Sequence, residues 1–86
     1  MENTFKIKLG SVNDAALFVK KCGEFTEDID YIHGRYVIDA KSIMGVLSTT
    51  IGELSKVEIH TDNVEVINKF KEEMKLWMED EEDDER

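Results

Sequence analysis

Two hydrophobic periods alternate along this chain, and their order is what most limits the fold it can adopt. Residues 4–9, TFKIKL, place apolar residues at every second position with lysines between them. A period of two is typical of a strand with one buried face. The same period recurs in SKVEIHT, residues 55–61, and on both sides of a turn at His33 and Gly34, where it predicts a hairpin.

Apolar residues at helical spacing separate the first strand from the hairpin. They recur three or four positions apart, at Ala15, Phe18, Cys22 and Phe25. Ser11 followed by Asp14 resembles a capping box in which aspartate replaces the usual glutamate. We therefore expect a helix from about Val12 to Gly23, with Gly23 in the left-handed conformation that often ends a helix.

A second apolar stripe follows the last predicted strand and indicates a long helix capped by Asp62 or Asn63. Its members are Ile67, Phe70, Met74, Trp77 and Met78. With a short helix near residue 42, the predicted order is β-α-β-β-α-β-α. The simplest way to bury one face of every element is an α+β open-faced β-sandwich. We expect a four-stranded antiparallel sheet with three helices on one face, forming one domain over residues 1–78.

The charge of the chain is concentrated at its C-terminus. The formal net charge is −9, and residues 79–86, EDEEDDER, contain seven acids and one arginine. We expect this tail to be disordered, because its like charges repel and it has no apolar face to bury. The remaining body is mildly acidic, which argues against nucleic acid as a direct partner.

The composition also bears on location. No apolar run approaches the roughly 20 residues that span a bilayer, so we expect no membrane association. Cys22 is the single cysteine, and the N-terminus shows no signal-peptide pattern. Both features favour the reducing cytoplasm.

Residues with catalytic or metal-binding chemistry are sparse. His33 lies at the predicted hairpin turn, and His60 is out of phase with the inward residues of its strand, so both are interpreted as surface histidines without a role. Cys22 falls on the apolar stripe of the first helix and is interpreted as a core residue. These three side chains lack the spacing of a metal site. We expect a protein that is not an enzyme and needs no metal or cofactor.

The segment AKSIMGV, residues 40–46, is the most informative stretch. A buried strand disfavours Lys41 and Ser42, and a long helix disfavours Gly45, so the segment predicts a short helix that begins at Ser42. A phosphate on this serine meets unpaired backbone N–H groups and the positive end of the helix dipole. The plainer interpretation is that Ser42 only caps the helix and that Met44 fills the core.

The element order and the stretch KSIMGVLSTTIG, residues 41–52, resemble the histidine-containing phosphocarrier family, HPr, of the bacterial sugar phosphotransferase system. In that family KSIMGV opens the second helix, and its serine is a regulatory phosphorylation site. The resemblance extends over residues 4–78. It implies phosphorylation at Ser42 and an exposed docking patch formed by Ile43, Met44 and Leu47.

The chain departs from this family at the phosphoryl-carrying histidine of the signature G-[IL]-H-A-R-P-A. Counted from KSIMGV, that histidine falls on Ser11, the arginine on Asn13 and the proline on Asp14, and residues 1–32 contain no histidine. A serine gives a stable phosphate ester in place of a labile phosphoramidate. Asn13 cannot neutralise a phosphoryl group as arginine does, and Asp14 adds a negative charge.

These residues favour a regulatory or interaction protein that lacks the phosphocarrier step. It resembles the catabolite-repression HPr-like proteins, which also lack the histidine. That resemblance implies phosphorylation of Ser42 by HPr kinase/phosphorylase and binding to a carbon catabolite repressor, although Asn13 replaces an arginine usual in that group. Two alternatives stay open: a divergent phosphocarrier using His33 or His60, and a binding module with an unrelated partner.

Overall fold

The computed structural model describes residues 3–79 of the chain. Within this range the order of elements is the predicted one: β1 Thr4–Lys8, α1 Val12–Cys22, β2 Ile29–His33, β3 Tyr36–Asp39, α2 Ile43–Leu47, β4 Leu54–Ile59 and α3 Val64–Met74. No helix in this part of the chain is long and apolar enough to cross a membrane.

The four strands form one antiparallel sheet in the order β1-β4-β2-β3. The last strand in the chain is therefore central, and Val57 of β4 lies opposite Phe5 on one side and Tyr31 on the other. The apolar face of the sheet packs against the helices, whereas the other face is open. The predicted open-faced sandwich is confirmed.

The hairpin between β2 and β3 has a two-residue loop. His33 pairs with Tyr36, so the turn is formed by Gly34 and Arg35, one residue later than predicted. Gly34 has a φ of 62°, which an L-residue adopts only with strain. A glycine at the first loop position suits a tight hairpin turn.

Helix α1 begins as predicted but ends differently. Gly23 has a φ of −66°, so the prediction of a left-handed cap is wrong. The chain instead continues in tight right-handed turns, in which the N–H of Phe25 donates to the carbonyl of Cys22 at 3.1 Å. These turns swing the Phe25 ring into the core, where it meets Phe70 edge to face at 5.4 Å between centroids.

The core is built around α1, α3 and the segment after α3. Phe18 contacts Tyr31 of the sheet at 5.5 Å and Trp77 at 5.9 Å between ring centroids. Trp77 lies beyond the end of α3, yet it is buried. Lys21 and Glu73 join α1 to α3 through a 2.7 Å hydrogen bond. That bond raises the pKa of Lys21 and lowers the pKa of Glu73.

Both ends of α3 are fixed by hydrogen bonds. Asn63, one of the two predicted caps, accepts hydrogen bonds from the N–H groups of Glu65 and Val66. After the helix, the chain runs along the edge of β1, where the N–H of Glu79 donates to the carbonyl of Lys6 at 2.9 Å. The rest of the predicted acidic tail, residues 80–86, lies outside the described residues.

Candidate functional site

Ser42 is the N-terminal cap of α2. Its backbone is extended, with φ −102° and ψ 107°, and its hydroxyl oxygen accepts a hydrogen bond from the N–H of Gly45 at 3.1 Å. Its carbonyl accepts from the N–H of Val46 at 3.0 Å, which starts the helix. Ser42 therefore caps α2, as the sequence predicts. The side chain is half-buried, so it still has a solvent-facing side.

Gly45 lets α2 lie directly against the sheet. A Cβ at this position would be 2.7 Å from the Cγ2 of Ile38 in β3 and 3.2 Å from the Ser42 hydroxyl. A side chain here would therefore push the helix away from β3 and disturb the cap. The presence of a glycine inside a short helix follows from this close approach.

We predict that Gly45→Ala destabilises the protein by about 1–3 kcal/mol, the usual range for overpacking, partly offset by the better helix propensity of alanine. Urea unfolding measures the change. A double-mutant cycle with Ile38→Ala provides the control, because this change removes the methyl group that the new Cβ meets. An equal cost of Gly45→Ala in both backgrounds would contradict the explanation.

The helix exposes apolar side chains next to Ser42. Met44 is 77% exposed, and Ile43 and Leu47 are each 37% exposed, whereas Val46 is fully buried and anchors the helix. The alternative in which Met44 fills the core is wrong. We call Ile43, Met44 and Leu47 the α2 patch.

Sequence reasoning missed two further exposed apolar residues, both on α1. Helix α1 packs against α2, and it exposes Val12 and Leu17 to solvent. Both lie off the core stripe of α1, at positions where a helix face exposed to water is usually polar. These two apolar residues outside the core stripe were the sequence signal that could have identified the exposed positions.

Two hydrogen bonds hold the segment before α2. The Lys41 ammonium donates to the carbonyl of Phe25 at 2.7 Å, and the Lys41 N–H donates to the Asp39 carboxylate at 2.9 Å. The lysine therefore ties the start of α2 to the loop after α1. The position of Ser42 is thus set from both sides, by β3 and by that loop.

Ser11 is the N-terminal cap of α1, and the predicted capping box is present in altered form. The Ser11 hydroxyl accepts a hydrogen bond from the N–H of Asp14 at 3.1 Å. The Asp14 carboxylate accepts from the N–H of Gly10 at 3.2 Å, not from Ser11 itself. A carboxylate therefore already lies at the positive end of this helix. Asn13 is exposed beside it.

His33 differs from its predicted environment. Its side chain is only 15% exposed, so the interpretation as a surface histidine is wrong. Its Nδ1 lies 2.8 Å from the hydroxyl of buried Ser55, which donates to the Tyr31 hydroxyl at 3.1 Å. Its Nε2 lies 3.3 Å from Glu53. The imidazole thus completes a polar network at one end of the core.

His60 is exposed, as predicted, but it is not isolated. Its Nε2 lies 2.7 Å from the Asp30 carboxylate, and its Nδ1 lies 3.8 Å from the Glu58 carboxylate. The hydrogen bond to Asp30, aided by the charge of Glu58, raises the pKa of His60. Cys22, in contrast, is fully buried, as predicted, and burial raises the pKa of its thiol to about 12.

A family model described as the phosphorylation site of the PTS HPr component matches residues 11–75. The chain belongs to the HPr family. Members of this family are phosphocarriers of the phosphotransferase system and not enzymes in themselves. The matched range includes both helix starts described above, at Ser11 and at Ser42.

Solved HPr structures have the same fold. The crystal structure of HPr-C-His from Thermoanaerobacter tengcongensis is 28% identical, with a TM-score of 0.65 over 87% of this chain and 92% of that one. The phosphocarrier protein HPr from Bacillus anthracis is 23% identical, with a TM-score of 0.60 over 77% of this chain and 87% of that one, and supports the fold alone. A search of curated proteins found no match.

Proposed function

We propose that this HPr-family chain is a regulatory interaction protein of the phosphotransferase system or of carbon catabolite control in the cytoplasm. In this proposal it has lost the phosphocarrier step. Its signal is phosphorylation of Ser42 by HPr kinase/phosphorylase, and its partners, which include a catabolite repressor, dock on the α2 patch. The proposal rests on a contrast between two helix starts. Ser42 lies beside exposed apolar side chains, whereas Ser11 lies beside the Asp14 carboxylate.

The surroundings of Ser42 support a modification site. The hydroxyl is half-buried at the start of a helix that exposes Met44 and Ile43 directly beside it. A kinase can grip such apolar side chains while it reaches the hydroxyl. Helix α2 has only five residues, so its dipole is small. The support therefore comes from the unbroken KSIMGV segment and the exposed patch, more than from the helix terminus.

The surroundings of Ser11 argue against phosphoryl transfer there. The Asp14 carboxylate accepts the N–H of Gly10 and occupies the region where an incoming phosphoryl group would need donors. Two anions at one helix terminus repel each other. Asn13 offers no positive charge to offset this repulsion.

The rival function, a divergent phosphocarrier, is favoured by the family match and requires another acceptor. The two histidines of the chain are poor candidates. The ring nitrogens of His33 face Ser55 and Glu53, and the imidazole of His60 lies between two carboxylates. Carboxylates beside the acceptor nitrogen repel a phosphoryl donor.

An experiment with two phosphoryl donors separates these functions. With ATP and HPr kinase/phosphorylase, we expect one acid-stable phosphate on the intact chain. With phosphoenolpyruvate and enzyme I, we expect no acid-labile phosphate, because no histidine stands at a helix start. Intact-mass spectrometry before and after acid treatment measures both. A stoichiometric acid-labile adduct would refute the loss of the carrier step.

A further inference from the structure

Two acidic side chains and a histidine converge on the open face of the sheet. Asp30 of β2 and Glu58 of β4 are direct partners in the antiparallel register, and both point away from the core. His60 follows the end of β4, and its N–H donates to the carbonyl of Asp28 at 2.9 Å. This backbone bond holds the histidine beside β2.

The ligand atoms of these side chains are close enough to share one ion. One oxygen each from Asp30 and Glu58 and a ring nitrogen of His60 all lie within 4.8 Å of one another. A zinc ion holds such atoms at roughly 2.0–2.2 Å, which separates neighbouring ligands by about 3 Å. The 2.7 Å distance between His60 and Asp30 already meets this requirement. Metal binding requires the Glu58 side chain, which is 32% exposed, to rotate toward the other two ligands.

The charge and type of these groups suit a divalent transition metal. A neutral imidazole with two carboxylates has a charge of −2, which balances a divalent ion. Imidazole favours zinc and its neighbours over magnesium or calcium, and three protein ligands leave room for water. Asp39 of β3, the register partner of Asp30, extends the row of negative charge, although its carboxylate accepts the N–H of Lys41.

We propose that Asp30, Glu58 and His60 form a binding site for a divalent transition-metal ion, with Zn²⁺ as the representative ion. Without metal, facing carboxylates on neighbouring strands repel each other; Nε2 of His60 is hydrogen-bonded to Asp30, whereas its Nδ1 lies 3.8 Å from Glu58. A metal ion bound by one ring nitrogen of His60 and by both carboxylates would link β2 to β4 directly. The site is independent of the function proposed for Ser42 and goes beyond it.

Zinc titration of the full chain tests this site. We expect one ion per chain by isothermal titration calorimetry, with the His60 ring signals shifting in NMR and the His33 signals unchanged. His60→Gln and Asp30→Asn should each weaken the affinity about tenfold or more, since losing even an outer-shell partner of a metal costs 10–100-fold. His33→Gln is the matched control and should bind zinc as the parent does.

Several results would overturn the site. These are no zinc binding, equal affinity in His60→Gln, or ring shifts at His33 in place of His60. All variants keep the acidic C-terminal residues, so zinc held there would persist in His60→Gln and count against the proposal. Circular dichroism without metal verifies the fold of each variant. If one variant unfolds, the other variant and the NMR titration of the parent still show whether zinc binds at this site.

Discussion

Replacing Ser42 with alanine is expected to abolish phosphorylation of the chain by HPr kinase/phosphorylase and ATP. The hydroxyl of Ser42 stands at the start of α2 beside the exposed Met44, and the proposed function makes it the only acceptor. Incorporation of phosphate, measured by intact mass, should fall from one group per chain to none. The same change should cost only about 0.5–2 kcal/mol of stability through the lost cap, so the variant stays folded.

Ser48→Ala is the matched control for this loss. Ser48 is also exposed on α2, but it lies at the C-terminal end, where its hydroxyl donates to the carbonyl of Gly45 at 2.6 Å. Ser48 lies outside the KSIMGV segment and its hydroxyl is already bonded to Gly45, so Ser48→Ala should be labelled like the parent. Full labelling of Ser42→Ala, or loss of labelling in Ser48→Ala, would contradict the assignment.

A second pair of variants tests the role of the α2 patch in the same labelling experiment. Met44→Asp places a charge in the patch while Ser42 is still present, and should slow labelling. Leu76→Asp makes the same change at another exposed apolar side chain, 73% exposed and located after α3, and should leave labelling unchanged. Equal labelling rates in both variants would show that the kinase does not recognise the α2 patch.

The sequence predicted the elements of this fold better than their arrangement. Alternation at residues 4–9 and helical spacing from Ala15 to Cys22 are local patterns, and each reports which face of one element is buried. The position of β4 between β1 and β2 depends on pairing between strands distant in the chain. No local pattern reports such pairing.

The errors at individual residues have physical causes. Gly23 permits a left-handed cap but does not require one, and burial of Phe25 favoured the right-handed turns. His33 has a polar environment because β4 brings Ser55 to it across the sheet. The cluster around His60 likewise depends on the register of Asp30 and Glu58, which spacing along the chain does not show.

The candidate site was more accessible to sequence reasoning because it is local. Ser42 and Gly45 lie within three residues of each other, so the cap can be inferred from one segment, whereas the exposed patch was implied by the resemblance to the HPr family. The sequence indicated that Gly45 is unsuited to a long helix but not why a glycine is needed here. The methyl group that a Cβ would meet belongs to Ile38 of β3. At Ser11, the cap was predictable, whereas the hydrogen bond from the Gly10 N–H to the Asp14 carboxylate is evident only in the folded structure.

Placing the family's residues at the start of α1 is expected to create a phosphoryl acceptor, which the proposed function says the parent chain lacks. In the triple variant Ser11→His, Asn13→Arg and Asp14→Pro, an imidazole replaces the hydroxyl at the helix start. The carboxylate that accepts the N–H of Gly10 is removed, and a guanidinium supplies the positive charge. Phosphoenolpyruvate and enzyme I should then yield an acid-labile phosphate, visible by intact mass, where the parent yields none.

Ser11→His alone is the matched control, and it should be a much poorer acceptor because Asp14 still places its carboxylate at the helix start. Loss of the Ser11 cap lowers stability by about 0.5–2 kcal/mol in both variants, and Asp14→Pro also removes the hydrogen bond from Gly10, so circular dichroism must first show that both variants are folded under the assay conditions. Equal phosphorylation of the single and triple variants would show that Asp14 and Asn13 do not oppose transfer. A folded triple variant that accepts nothing would show that the carrier step was lost elsewhere in the chain, in the surface that enzyme I must recognise.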